Sequence, residues 1–235
     1  MIESLLYPFL KRYGYSKRNK TEPKLWFKAF LSLYFSHIPD DFFLVQIGAN
    51  DGLRGDPLHD AIMQHNPKGI LVEPIPSMFE ALQETYKDRA VQLVQLAIAK
   101  TPMPLYIGTA PSGVSNAGFD ERVIQKWMAT KFPNGGKEAY LREHPITKQE
   151  VPTRTFMEFA HEYGISRMDL LQIDCEGYDY EILKQVDFEY FTPTLVNYES
   201  RHLSEQDAKA ARELLEHKGY MVFTHGSDTS GLKLQ

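Results

Sequence analysis

Residues 170–183, LLQIDCEGYDYEIL, place four carboxylates (Asp174, Glu176, Asp179 and Glu181) directly after an apolar run that reads as a buried strand. In a chain of alternating strands and helices, ligands gather at the carboxyl ends of the strands. Asp174 and Glu176 therefore stand where an acid, a base or an oxygen ligand would act. Asp179 and Glu181 fall in the first turn of the next helix, where negative charge suits the macrodipole. A second strand end, TLVNYESRH, contributes Glu199, Arg201 and His202. These types fit removal of a proton from a hydroxyl nucleophile, and histidine is suited to holding that proton near neutral pH. His202 also has a plainer reading, as a satisfied surface or capping residue. Asp174, Glu176 and Glu199 could instead converge on a divalent cation; proton chemistry is the preferred reading, and no metal is expected.

The segment QIGANDG, residues 46–52, closes another apolar run. Gly48 and Gly52 allow a tight turn and close approach of a ligand to bare backbone. Asn50 occupies the place of the middle glycine of G-x-G-x-x-G, which disfavours a dinucleotide and suits a ligand without phosphates. Glu73 closes the next strand, 25 residues after Gly48. A carboxylate there can accept from both hydroxyls of a ribose.

The elements that position these groups can be read from hydrophobic pattern. Strands are expected at 41–48, 69–74, 91–99, 103–108, 168–174 and 194–200, with helices near 57–65, 77–88, 156–163, 178–186 and 204–218. YMVFTH and GLKLQ read as a closing antiparallel hairpin. The alternation predicts an α/β, doubly wound, mostly parallel sheet. Residues 109–148 form an insertion rich in Gly, Pro and Ser with one expected helix, DERVIQKWMATKF. Substrate choice is expected there, with Ser115 and Asn116 as polar contacts.

At 235 residues the chain fits one full-sized domain. No apolar run approaches the roughly 20 residues needed to cross a bilayer, and the start lacks the order of a signal peptide, so a cytoplasmic protein is expected. One cysteine, Cys175, rules out an intrachain disulfide and a thiolate metal cluster; it is read as a packed free thiol. The remaining histidines show no metal spacing. The net charge of −5 is uneven: residues 1–30 carry seven Lys or Arg against two acids, leaving −10 for the rest. This basic stretch within residues 1–40 is expected to form a helical arm with Pro23 opening its second helix. It could pack on the body, close over the site or make a dimer contact. The acidic remainder argues against nucleic acid as a partner.

LVQIGANDG, ILVEPIPSMFEALQ, LAIA, TRTFMEFA, MDLLQIDCEGYDYEIL and GYMVF, in this order, resemble the FkbM family of S-adenosylmethionine-dependent methyltransferases over roughly residues 43–224. The most specific parts are IDCEGYD and Val-Glu-Pro. The resemblance implies the Rossmann-like class I methyltransferase fold, a seven-stranded sheet with one antiparallel strand, over residues 41–235. It implies S-adenosylmethionine as cofactor and a small hydroxylated acceptor such as a sugar or natural product. Gly48, Asn50, Asp51 and Gly52 would line the cofactor's amino-acid end. Glu73 would hold its ribose, Pro74 and Ile75 would lie near its adenine, and Ala97 beside the adenine edge. The family usually has Asp where this chain has Gln46; that acid helps place the cofactor's ammonium, and Asp51 is the expected substitute.

Two rival readings remain at this level. One is a nicotinamide-dependent oxidoreductase on a similar fold, disfavoured by the absent middle glycine. The other is a non-catalytic module that keeps the fold, favoured only by Gln46.

Overall fold

The computed structural model describes residues 23–233. Its centre is a seven-stranded sheet built from β1 (Phe43–Ile47), β2 (Lys68–Val72), β3 (Val91–Val94), β9 (Leu170–Ile173), β10 (Leu195–Glu199), β11 (Met221–His225) and β12 (Asp228–Leu232). The spatial order is β11-β12-β10-β9-β1-β2-β3. β1, β2, β3, β9 and β10 pair in parallel, whereas β12 runs antiparallel to both β10 and β11. This is the expected Rossmann-like sheet with its closing hairpin. The first half of the expected basic arm lies outside the described residues.

Helices cover both faces, so strand residues alternate between two cores. Val45 and Ile47 face one core with Leu171, Ile173, Val196 and Tyr198, against Phe156, Phe159, Ile182 and Leu215. These four come from α6 (Phe156–Glu162), α7 (Asp179–Leu183) and α8 (Glu205–His217). Leu44, Leu170 and Leu195 face the other core. There they meet α1 (Pro23–Phe35), α2 (His59–His65) and α3 (Pro76–Tyr86). The stripe Phe27, Leu31 and Phe35 on α1, spaced by four residues, is buried in that core. Residues 23–35 are thus packed on the sheet.

Two expectations need correction. The strand expected over 91–99 breaks after Val94, level with the end of β2 at Val72. Beyond the sheet the backbone needs a new partner, so β4 (Ala97–Ile98) pairs with β8 (Thr153–Arg154), Ala97 N donating to Pro152 O at 2.8 Å. The insertion holds two helices, α4 (Glu121–Thr130) and α5 (Lys137–Glu143), where one was expected. β5 (Leu105–Thr109), the strand expected at 103–108, pairs antiparallel with β6 (Ser115–Gly118) on one side and β7 (Thr147–Gln149) on the other. Asp120 caps α4, and Ile124 and Met128, one turn apart, are fully buried.

Candidate active site

The loop after β1 turns through positive φ at Gly48 (82°), Asn50 (50°) and Gly52 (69°). Glu73, at the end of β2, holds the loop: Asn50 N donates to its Oε2 and Ile75 N to its Oε1, each at 2.8 Å. Asn50 Nδ2 reaches across to the Ser115 carbonyl at 3.0 Å. Burial pushes the Glu73 carboxyl up to about 7, against the pull of the Ile75 and Asn50 amides. Gly48, Asn50, Glu73, Pro74, Ile75 and Ala97 all line one cleft of about 420 Å³. Ser115 and Asn116, expected at the acceptor, lie on this same cleft.

Three expected residues do not line this cleft. Asp51 is buried and committed to its own loop: Oδ1 accepts from Leu53 N and Arg54 N, and Oδ2 lies 3.3 Å from Arg54 Nη1. Gly52 is buried under Leu82 and Tyr86, its carbonyl accepting from the Tyr86 hydroxyl at 2.7 Å. Gln46 is buried on the α1 face of the sheet, and its Nε2 donates to Asp56 Oδ1 at 3.1 Å.

A second, larger cavity of about 930 Å³ adjoins the cleft and shares with it Gly48, Asn50, Asp174 and Glu176. Strand register sets its floor. The row Leu44, Leu170 and Leu195 is apolar, and two residues on, the same face presents Gln46 and Gln172 to the cavity, with Asn197 and Ser230 buried beside them in the same row. Asn197 Nδ2 donates to Gln172 Oε1 at 2.8 Å, and Asn197 Oδ1 accepts from Ser230 Oγ at 2.6 Å. His225 Nε2 lies 3.1 Å from that same oxygen, and burial lowers the ring to about 4, so it is neutral. Phe27 of α1 stacks on His225 at 4.0 Å between centroids. Trp127 of α4 lies on both cavities.

Asp174 and Glu176 line both cavities, and Glu199 and His202 line the larger one beside them. His202 Nε2 lies 3.1 Å from Glu176 Oε2 and 3.8 Å from Glu199 Oε1. The first approach is close but out of line for a hydrogen bond, so the Oε2 atoms of both glutamates are buried without a hydrogen-bond donor among the described residues. Asn116 Nδ2 donates to the other Glu176 oxygen. Glu199 is raised to about 9 by burial and then by Glu176, Asp179 and Asp228. Asp174, exposed into the cavities it lines, is raised by the surrounding protein first and by Glu199 next. Such a cluster can take up a proton. Its mixed donors Glu176, Glu199 and His202, all within 4.8 Å of one another, could also hold a divalent cation.

Asp179 departs from its expected role. It is fully buried, and its carboxylate accepts from Cys175 N (3.3 Å), Gly177 N (3.1 Å) and Glu199 N (3.2 Å). It therefore joins the loop after β9 to the end of β10, and so places Glu176 and Glu199 relative to each other. In that loop Glu176 itself is left-handed, with φ 49°, a conformation that costs a non-glycine residue free energy. Glu181 stays at the surface, 2.5 Å from Lys184. Cys175 is half-buried against the core and also borders the cleft.

Sequence reasoning missed Asp56, Trp127 and the polar floor. The floor had a signal: FLVQI, LLQI and LVNYE each carry one amide in an apolar strand. Trp127 had none, because an aromatic on an amphipathic helix reads equally as core.

In sequence, the chain is 24% identical to methyltransferase sdnD of Sordaria araneosa, covering 77% of this chain and 75% of that one. It is 25% identical to methyltransferase 1 of Beauveria bassiana (strain ARSEF 2860), covering 81% and 76%. Among solved structures, it is similar to a precorrin-6y C5,15-methyltransferase from Geobacter metallireducens GS-15. The TM-score is 0.45 and the identity 15%, over 93% of this chain and 92% of that one. The family model described as the methyltransferase FkbM domain matches residues 46–222, well over half of the chain, and the chain belongs to this family of methyltransferases.

Proposed function

We propose that this methyltransferase transfers a methyl group from S-adenosylmethionine to a hydroxyl of a small polyhydroxylated molecule such as a sugar. The observation that carries the reading is a histidine flanked by two glutamates, one of which lines both cavities, with the Gln46 and Gln172 amides on the floor beyond. The cleft fits the cofactor in kind: Gly48 lines it and presents backbone without a side chain. Each Glu73 oxygen accepts one backbone bond, which leaves lone pairs for ribose hydroxyls. When bound, the cofactor supplies a methyl group activated by its sulfonium. The protein's part is orientation of the hydroxyl and acceptance of its proton. His202 takes that proton, and Glu176 stabilises the resulting imidazolium. The nicotinamide alternative has no support from the family.

The test is calorimetric titration with S-adenosylhomocysteine, followed by methyl transfer to a panel of sugars and polyols. Micromolar binding and turnover on a hydroxyl are the expected results; transfer only to nitrogen or carbon acceptors would overturn the acceptor class. His202→Gln should lower turnover by roughly 10²–10⁴-fold while sparing affinity for S-adenosylhomocysteine. Full activity would move the proton elsewhere. Glu73→Ala should weaken S-adenosylhomocysteine binding by about 1.5–3 kcal/mol. Ribose hydroxyls favour the ionised carboxylate, and the free carboxyl titrates at about 7. Parental affinity should therefore rise as pH rises through neutrality, and the Glu73→Ala profile should lack that step. Matching profiles would remove Glu73 from the site.

A further inference from the structure

We infer that Gln46 and Asp56 together bind the ammonium of the cofactor's amino-acid end, with Asp56 supplying the charge. This rests on the cofactor assigned above. Gln46 is 2% exposed, and its Oε1 has no hydrogen-bond partner among the described residues. A buried carbonyl oxygen without a donor is costly, so a site that retains one is shaped for a donor that arrives from outside. Gln46 lines the larger cavity with Gly48 and Asn50, two of the residues that this cavity shares with the cofactor cleft.

The amide orientation is fixed by its other end. Gln46 Nε2 donates to Asp56 Oδ1 at 3.1 Å, and Leu58 N donates to the same oxygen at 2.8 Å. With its N–H group committed there, Gln46 presents its oxygen as an acceptor. Asp56 Oδ2 has only the Tyr86 hydroxyl, at 3.4 Å, so it keeps the greater part of its accepting capacity. Asp56 lines the same cavity. An amide oxygen and a carboxylate oxygen from two hydrogen-bonded residues on one cavity, with no lysine or arginine paired to the carboxylate in the described residues, make a site for a cationic donor of several N–H bonds. An alkylammonium has that chemistry, and neither a hydroxyl nor a neutral amide would satisfy the charge. Burial holds the Asp56 carboxyl at about 6 in the free protein, as expected of an acid that gains its cation on binding. Asp51, the nearer acid in sequence, is excluded because both its oxygens are engaged within the loop.

The experiment is calorimetric titration of the full chain with two probes: S-adenosylhomocysteine and its deamino analogue, in which hydrogen replaces the ammonium. The parent should bind S-adenosylhomocysteine at least tenfold more tightly than the analogue. Asp56→Asn should weaken S-adenosylhomocysteine about tenfold or more and leave the analogue within twofold. Gln46→Met, which removes the amide without burying a charge, should weaken S-adenosylhomocysteine severalfold with the same selectivity. It also tests the inference should Asp56→Asn fail to fold. Equal losses for both probes, or no loss for S-adenosylhomocysteine, would overturn the ammonium assignment while leaving the cofactor in place. Failure of the parent to bind S-adenosylhomocysteine at all would overturn the cofactor reading and this inference with it.

Discussion

Gly48→Ala is expected to cost roughly 2–6 kcal/mol of folding stability and to abolish detectable binding of S-adenosylhomocysteine. Two effects add. At φ 82° the backbone is in a region that side chains disfavour. The added Cβ would also lie 1.8 Å from the Asp174 carbonyl oxygen and 2.8 Å from its carbon. That neighbour is backbone at the end of β9, where Asp174 N already donates to Ile47 O at 2.9 Å, so it cannot swing aside as a flexible side chain would. Relief requires β1 and β9 to part at the point where the cleft, Asp174 and Glu176 are positioned. Gly55→Ala separates the two contributions. Its φ is 78° but a Cβ there meets nothing within 4 Å, so only the conformational cost, about 1 kcal/mol, should appear. Urea unfolding of the two variants measures both. A Gly48→Ala midpoint no lower than that of Gly55→Ala would mean that the close approach of the two strand ends does not exist in solution.

The residue that makes this approach necessary was legible in the sequence, and so was most of the sheet. Apolar runs of four to five residues followed by Gly48, Glu73 and Asp174 mark β1, β2 and β9, because a strand covered by helices on both faces has no polar alternation to obscure it. The break after Val94 was not legible. VQLVQLAIA is uniformly strand-like, and the division at residue 95 is imposed by where β2 ends and by β8, more than 50 residues later. Among candidate site residues, Glu73, Gly48, Asn50 and the acids after β9 and β10 were legible because strand ends are where ligands bind. Asp56 was not, because it sits in an irregular loop ten residues past Gln46, where no period links the two. The roles of the acids within one stretch were also beyond spacing alone. Asp179 and Glu181 both begin the same short helix, yet one points back into the loop and the other out to Lys184.

That difference sets the expectation for Asp179→Ala, a loss of about 3–5 kcal/mol together with loss of methyl transfer. The substitution strips the acceptor from three backbone N–H groups, those of Cys175, Gly177 and Glu199, and a buried donor left unpaired costs about 1–3 kcal/mol. The sum is reduced because the carboxylate itself is costly to bury, which raises it to about 7 from its usual value near 3.8. That raised value also sets the direction with pH. The folded state holds a proton that the unfolded state gives up, so this contribution is fully present below about 3.8 and is lost as pH rises through about 7. The stability gap between parent and Asp179→Ala should accordingly be wider at pH 5 than at pH 8, measured by urea unfolding at both. Asp179→Asn retains one carbonyl acceptor and the side-chain shape, and should recover part of the stability. Its transfer activity should still be low: one oxygen can keep Cys175 N and Glu199 N, but the new amide N–H faces Gly177 N, whose bond to the second oxygen holds the loop beside Glu176. A variant within about 1 kcal/mol of the parent at both pH values would show that the two strand ends hold their acids in place without Asp179. The junction would then owe its geometry to the sheet alone.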